Sequence, residues 1–302
     1  MFMKRSPLVV IFCTILLDLV GIGILIPVVP QLLTNPASSE YLLPASVSLA
    51  RGYLLFGFLI AAYPVMQFFA SPILGQLSDK FGRRPVLIAS LAGTSVGYML
   101  FAVAIITRNI PLLFASRMLD GITGGNISVA QAAIADISTP ENRSKNFGLI
   151  GAAFGLGFIM GPYIGGQLAN PAYGSFFNAA TPFWFAAFLA CANMCSICFL
   201  LPETNKWKTG GTIDWEKSIH DIVRAVKMKE LRWLFIVQFV YISGFSFFTT
   251  IFGVFLIHRY SFNEAGIGNL FAYIGVWIVF TQGFFTRIIA RYWKEHAVVS
   301  VT

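Results

Sequence analysis

Charge is scarce in this sequence. Only 11% of its 302 residues are Asp, Glu, Lys or Arg, where a water-soluble domain carries roughly 25% to keep its surface solvated. That shortage excludes an ordinary soluble globular fold. Histidine and cysteine are rare as well, with three and four copies. His220, His258 and His296 lie in separate connections and form no cluster. Cys191, Cys195 and Cys198 recur at i, i+4 and i+7 within an apolar stretch, and Cys13 stands alone. No histidine joins the three, and a metal site needs deprotonated ligands with a supporting second shell, so they read as small polarisable packing residues. Paired carboxylates, a nucleophile elbow and a phosphate loop are all missing. The sequence therefore argues against an enzyme, a resident cofactor or a metal centre. A net charge of +8 would suit nucleic acid if it formed a basic patch on a folded face, but its distribution points to a membrane.

What the sequence has in quantity is apolar length. Hydrophobic residues make up 57% of the chain and the mean hydropathy is +0.74. A bilayer core about 30 Å thick demands about 20 consecutive apolar residues of a helix. Eight such runs are read, at about 8–29, 52–74, 86–106, 111–135, 147–168, 182–201, 233–257 and 266–289. Lipid offers the backbone no hydrogen-bond partner, so each is expected to be an α-helix, and the fold class is an all-α, polytopic transmembrane helix bundle. The first run is too long for a signal-peptide core, carries Asp18 in its middle and closes on Pro27 and Pro30 rather than on a small-residue cleavage site, so it is read as a retained span.

Basic residues set the expected orientation. With the amino terminus in the cytoplasm, only Arg51, Arg108 and Arg259 of the 21 Lys and Arg fall outside, and Arg117 lies within a span. The longest polar connection follows the sixth span and divides the chain into residues 1–203, a central cytoplasmic loop over 204–232, and 233–302. Within the loop Ile219, Ile222, Val223 and Val226 share a helical face, which fits either a surface-lying amphipathic helix or a plain tether. A faint internal echo aligns the eight residues from Lys80 with the eight from Arg291. Both follow an even-numbered span, as expected of a six-span parallel repeat. On that reading a ninth span would begin near Ala297, and four spans of the second half are missing.

The densest motif is Gly75-x-x-x-Asp79-x-x-Gly82-Arg83-Arg84, between spans two and three. Gly75 would let helices approach closely and Gly82 would relieve a tight turn. Asp79 suits a helix cap or an ion pair, and Arg83 and Arg84 suit carboxylates or lipid phosphates. Three basic residues alone would be an ordinary cytoplasmic loop; the full spacing asks for more. Asp136 and Arg143 bracket the next cytoplasmic turn and are expected to pair with the basic stretch at 80–84. In the fifth span Gly151, Gly155, Gly157, Gly161, Gly165 and Gly166 surround Pro162. Glycines four apart leave a bare stripe for a neighbouring helix, and Pro162 crowds the carbonyl of Phe158, which favours a bend. The cluster follows no strand, so it is not a dinucleotide loop.

Charges inside spans each cost about 2.5–3.5 kcal/mol on insertion scales and call for a reason. Asp18 is a candidate proton carrier, or a structural hydrogen-bonding group. Arg117 and Asp120, three residues apart, can pair on one helix face. Asn126, Gln131, Gln67, Tyr98, Gln238 and Gln282 are the polar or aromatic candidates for lining a cavity.

These motifs resemble the major facilitator superfamily. The Gly75–Arg84 segment is similar to its loop between the second and third helices, Arg117-x-x-Asp120-Gly121 to its fourth-helix motif, and Gly161-Pro162-x-x-Gly165-Gly166 to the antiporter motif of its drug-exporting members. The runs LLDLVGIGILIPVVP and GQLSDKFGRRPVL resemble the bacterial tetracycline and multidrug exporters, through most of residues 8–203. The resemblance implies a first six-helix half followed by about two helices of a second. It also implies proton-coupled export of a small lipophilic compound by alternating access, from a bacterial inner membrane and driven by the proton gradient. Small-molecule substrate, protons and the bilayer are then the partners, with no nucleic acid. Metabolite uptake, or a shortened chain that does not transport, are the alternatives. Three departures stand out. Asp120 occupies a place that is usually uncharged in the family, Gly97 stands where tetracycline exporters carry an acidic residue before Tyr98, and Ile278 stands where they carry a histidine upstream of Gln282.

Overall fold

A computed structural model describes residues 7–174, 176–205, 224 and 228–281 of the chain. Nine α-helices and a short 3-10 turn, and no strand, are found among them: α1 Pro7–Thr34, α2 Leu49–Phe81, α3 Arg83–Ile106, α4 Ile110–Thr123, α5 Asn126–Asp136, α6 Arg143–Leu168, α7 Thr181–Leu200, α8 Lys229–Tyr260 and α9 Glu264–Phe280. Six of these helices, counting α8 from Arg232, are long and apolar enough to cross a membrane. The 3-10 turn spans Pro171–Tyr173. The expected eighth span is described only in part, and the proposed amphipathic loop helix and the echo near Arg291 lie outside the described residues.

Three expectations about the elements are corrected. The first span does not stop at its prolines, because α1 continues through Pro27 and Pro30 to Thr34. A proline in an apolar helix loses one ladder bond, which neighbouring groups can re-satisfy. The motif between spans two and three is not a loop: α2 runs to Phe81 and α3 begins at Arg83, leaving Gly82 alone as the connection. Gly82 adopts φ +113°, a conformation that side chains with a Cβ rarely take, so a corner of one residue becomes feasible. The fourth span is two helices, α4 and α5, broken at Gly124–Gly125. There the Ser128 N–H turns to the Gly125 carbonyl at 3.2 Å, and Gln67 Nε2 donates to the Gly124 carbonyl at 2.6 Å. Consecutive glycines permit the break, and a side chain from α2 satisfies the carbonyl it exposes.

Helices in lipid gain little from hydrophobic association and cohere by close packing and hydrogen bonds. The α1–α6 seam follows that rule, since Gly161 of α6 backs onto Gly23 of α1. A Cβ built at Gly161 would lie 2.7 Å from the Gly23 Cα, so the two backbones touch. Gly157 meets Leu19 and Gly165 meets Ile24 in the same seam. Gly166 faces the Glu264 backbone, which brings α9 against the other side of α6. Elsewhere α3 packs on α7 and α4, with the Phe101 and Phe183 rings 4.3 Å apart. Large apolar side chains such as Phe58, Phe188 and Phe199 are exposed, as lipid-facing residues should be. Along α8, Trp233, Phe239 and Tyr241 are exposed too.

Candidate functional site

The buried charges come together at the break between α4 and α5. Asp18, Arg117, Asp120 and Asn126 are all at least nine-tenths buried. Asn126 is the first residue of α5, so the glycine break sets its side chain toward α1. There its Nδ2 donates to Asp18 Oδ1 at 3.1 Å. Among the described residues, Asp18 Oδ2 and Asn126 Oδ1 have no hydrogen-bond partner although both are buried. Such orphans are rare in native proteins, where about 90% or more of buried polar groups are paired.

Arg117 forms an ion pair with Asp120, so the two charges offset one another in an apolar surround. Its guanidinium also lies over three rings, Tyr63 at 5.4 Å, Tyr98 at 5.6 Å and Phe101 at 5.3 Å. A desolvated cation–π contact contributes about 2 kcal/mol or more, so the rings help offset the cost of burying the cation. Sequence reasoning named Tyr98 as a cavity residue and missed Tyr63 and Phe101, because their convergence depends on how α2, α3 and α4 pack. Asp120 itself lies against Gly97: a Cβ at that glycine would be 3.0 Å from the Asp120 Cβ.

Beside this cluster is a cavity of about 290 Å³, near the lower end of the roughly 300–1,000 Å³ usual for small-molecule sites. Apolar side chains of α1 and α2 form most of its wall, Arg117 enters from α4, and Ser246, Thr249 and Thr250 come from α8. The wall is not the one expected. Asp18, Asn126, Gln67, Tyr98 and Gln131 are not part of it. Gln67 is engaged by Tyr63 and Gly124, Tyr98 is packed under Arg117 and beside Gly21, and Gln131 is on an exposed face. Gln238 borders a different, apolar hollow with Phe68 and Phe239. Gln282 lies outside the described residues.

At the α2–α3 corner a second network forms around Arg83. Its Nη1 meets Asp79 Oδ1 at 2.6 Å and donates to Ser78 Oγ at 2.6 Å, while its Nε donates to Asp136 Oδ2 at 3.0 Å. Asp136 is therefore paired with the basic stretch as expected, and Arg143 is not. Arg143 starts α6 on an exposed turn and lies over the Phe147 ring at 5.7 Å; a cation has nothing to gain beside Arg83 and Arg84. Gly75 is also reassigned, because among the described residues a Cβ there would meet nothing within 4 Å and it makes no close helix contact. Glu203 was missed. Its two carboxylate oxygens accept from the backbone N–H groups of Arg83 at 2.8 Å and Arg84 at 3.2 Å, which caps α3 from the end of α7. Arg84 donates to the Cys198 carbonyl, and Asn205 Nδ2 to the Asp79 carbonyl at 3.0 Å. An acidic residue closing a span beside a basic corner was the available signal.

A bundle of membrane-crossing helices with a mostly apolar cavity and buried ionisable groups defines the class, a polytopic membrane transporter fold. The family follows: residues 11–301 match the model of the Major Facilitator Superfamily, and the chain belongs to it. It is 42% identical over 203 residues to the class C tetracycline resistance protein of Escherichia coli, covering 67% of this chain and 46% of that protein. It is 31% identical to the class H tetracycline resistance protein of Pasteurella multocida, covering 99% of this chain and 70% of that protein. Among solved structures it resembles the human organic anion transporter MFSD10, with 27% identity, a TM-score of 0.71, and coverage of 96% of this chain and 74% of that one. The chain thus spans between about half and three-quarters of the relatives it matches.

Proposed function

We propose that the chain belongs to a proton-coupled exporter that moves a small lipophilic compound by alternating access, with its amino terminus in the cytoplasm. The observation that carries this reading is Asp18, a buried carboxyl with one oxygen held by Asn126 and the other without a partner among the described residues. A proton can occupy that oxygen and neutralise the charge in place. The Arg117–Asp120 pair next to the cavity gives the substrate side of the cycle a charged group whose partner can be exchanged. The seam of glycines between α1 and α6 lets the two helices bear on one another closely, which suits a rocking surface. The tetracycline resistance relatives support export over uptake.

The corner around Arg83 would act as a clasp at the cytoplasmic end. It ties α2, α3, α5 and the residues after α7 through Asp79, Asp136 and Glu203. In this reading Asp18 is the coupling residue, and Gly82 and Arg84 serve the shape and charge of the clasp. The test is proton-driven efflux of a lipophilic dye from proteoliposomes. Asp18→Asn keeps the hydrogen-bonding shape and removes the titrating group, so efflux should lose its dependence on an imposed pH gradient. Full pH-driven efflux by that variant removes Asp18 from the mechanism.

A further inference from the structure

Among the described residues the cavity wall carries one charged side chain, and it is a cation. Arg117 contributes to the wall, whereas the carboxylates of Asp18 and Asp120 do not. Among the described residues the buried Arg117 Nε has no hydrogen-bond partner, so Asp120 does not saturate the guanidinium. A guanidinium offers donors in a fixed planar fork that matches a carboxylate. Ser246 and Thr250 of α8 border the same cavity and carry hydroxyls that can donate to an anion, whereas the Thr249 hydroxyl already donates to the Ser246 carbonyl at 3.1 Å. Most of the rest of the wall is apolar, with Ile22, Leu25, Phe56 and Ile60. Asp120 is the ion-pair partner of the guanidinium but is not part of the wall, so an organic cation placed there would meet a guanidinium and no carboxylate.

We infer that the cavity binds lipophilic organic anions, with an acidic group on Arg117 and the hydrophobic body against α1 and α2. The inference rests on the export reading and narrows its substrate class to aromatic acids of one or two rings. Contact with α8 means that the anion bridges the first helical half and the start of the second. Binding would therefore respond to changes on both sides of the cavity.

The experiment is equilibrium binding of radiolabelled 2-naphthoate, and of its size-matched cation 2-naphthylmethylammonium, to the full chain in nanodiscs. The expected result is saturable binding of the acid and none of the amine. Arg117→Gln should weaken the acid about 10- to 100-fold, the loss of one charge-assisted contact. Because that variant leaves Asp120 without its partner, the double variant Arg117→Gln/Asp120→Asn is measured as well, and it should lose the acid to the same extent. Thr250→Val, on the α8 side of the cavity and outside the buried charge pair, should weaken the acid by a smaller factor. Equal or tighter binding of the amine overturns the inference while leaving proton-driven export standing. Saturable acid binding that survives in the double variant overturns it too, as does binding of neither probe. The export reading is judged separately, by the pH-driven efflux of the Asp18→Asn variant.

Discussion

Replacing Gly161 with alanine would place a methyl carbon 2.7 Å from the Gly23 Cα and 2.8 Å from the Val20 carbonyl oxygen. Carbon atoms in contact settle at about 3.5–4.0 Å, so α1 and α6 would have to part by about 1 Å. Both obstructing atoms are backbone, and no rotamer change relieves them. Overpacking of this kind costs about 1–3 kcal/mol. Gly151→Ala is the matched control, on the same helix, with none of the described residues within 4 Å of the added carbon. Whatever alanine gains in helix propensity is common to both variants, so their difference isolates the seam. For a chain of this size roughly 2–4 °C accompanies each kcal/mol, so thermal unfolding of the purified protein in detergent should place Gly161→Ala about 2–12 °C below Gly151→Ala. Midpoints within about 1 °C of each other would refute direct backbone contact as the purpose of these glycines.

Two further changes test the corner. Arg83→Lys keeps the charge but not the fork that reaches Asp79, Ser78 and Asp136 together, so it should lower stability by about 1–2 kcal/mol, discounted because Asp79 is half exposed; an unchanged unfolding midpoint would contradict it. Glu203→Ala removes both acceptors at the start of α3. A lost cap costs about 0.5–2 kcal/mol, and hydrogen exchange should accelerate at the first turn of α3 and nowhere along α6.

Much of the fold was legible because the bilayer simplifies the problem. Long apolar runs separated by polar connections admit only helices in lipid, so fold class and approximate span positions followed from composition alone. Helix ends were less legible. The charged residues Asp79 and Lys80 looked like loop, yet they lie inside α2, because a helix can continue past the apolar core wherever its polar groups find partners. The break at Gly124–Gly125 was invisible for a related reason. Two glycines permit a helix or a kink, and the choice fell to Gln67 and Tyr63 of another helix.

The site divides in the same way. Residue chemistry singled out Asp18, Arg117 and Asp120, since a charge in an apolar run is costly wherever it sits. The sequence by itself determined that these charges are buried and that glycines mark one face of α6. Only the tertiary structure decided their partners. Asn126 reaches Asp18 because α5 restarts at the break, and Gly97 leaves room for Asp120 because α3 crosses α4 at that level. The Arg117 guanidinium borders the cavity while the carboxylates do not. Such pairings depend on where separate helices cross in three dimensions, and one-dimensional spacing carries no record of those crossings.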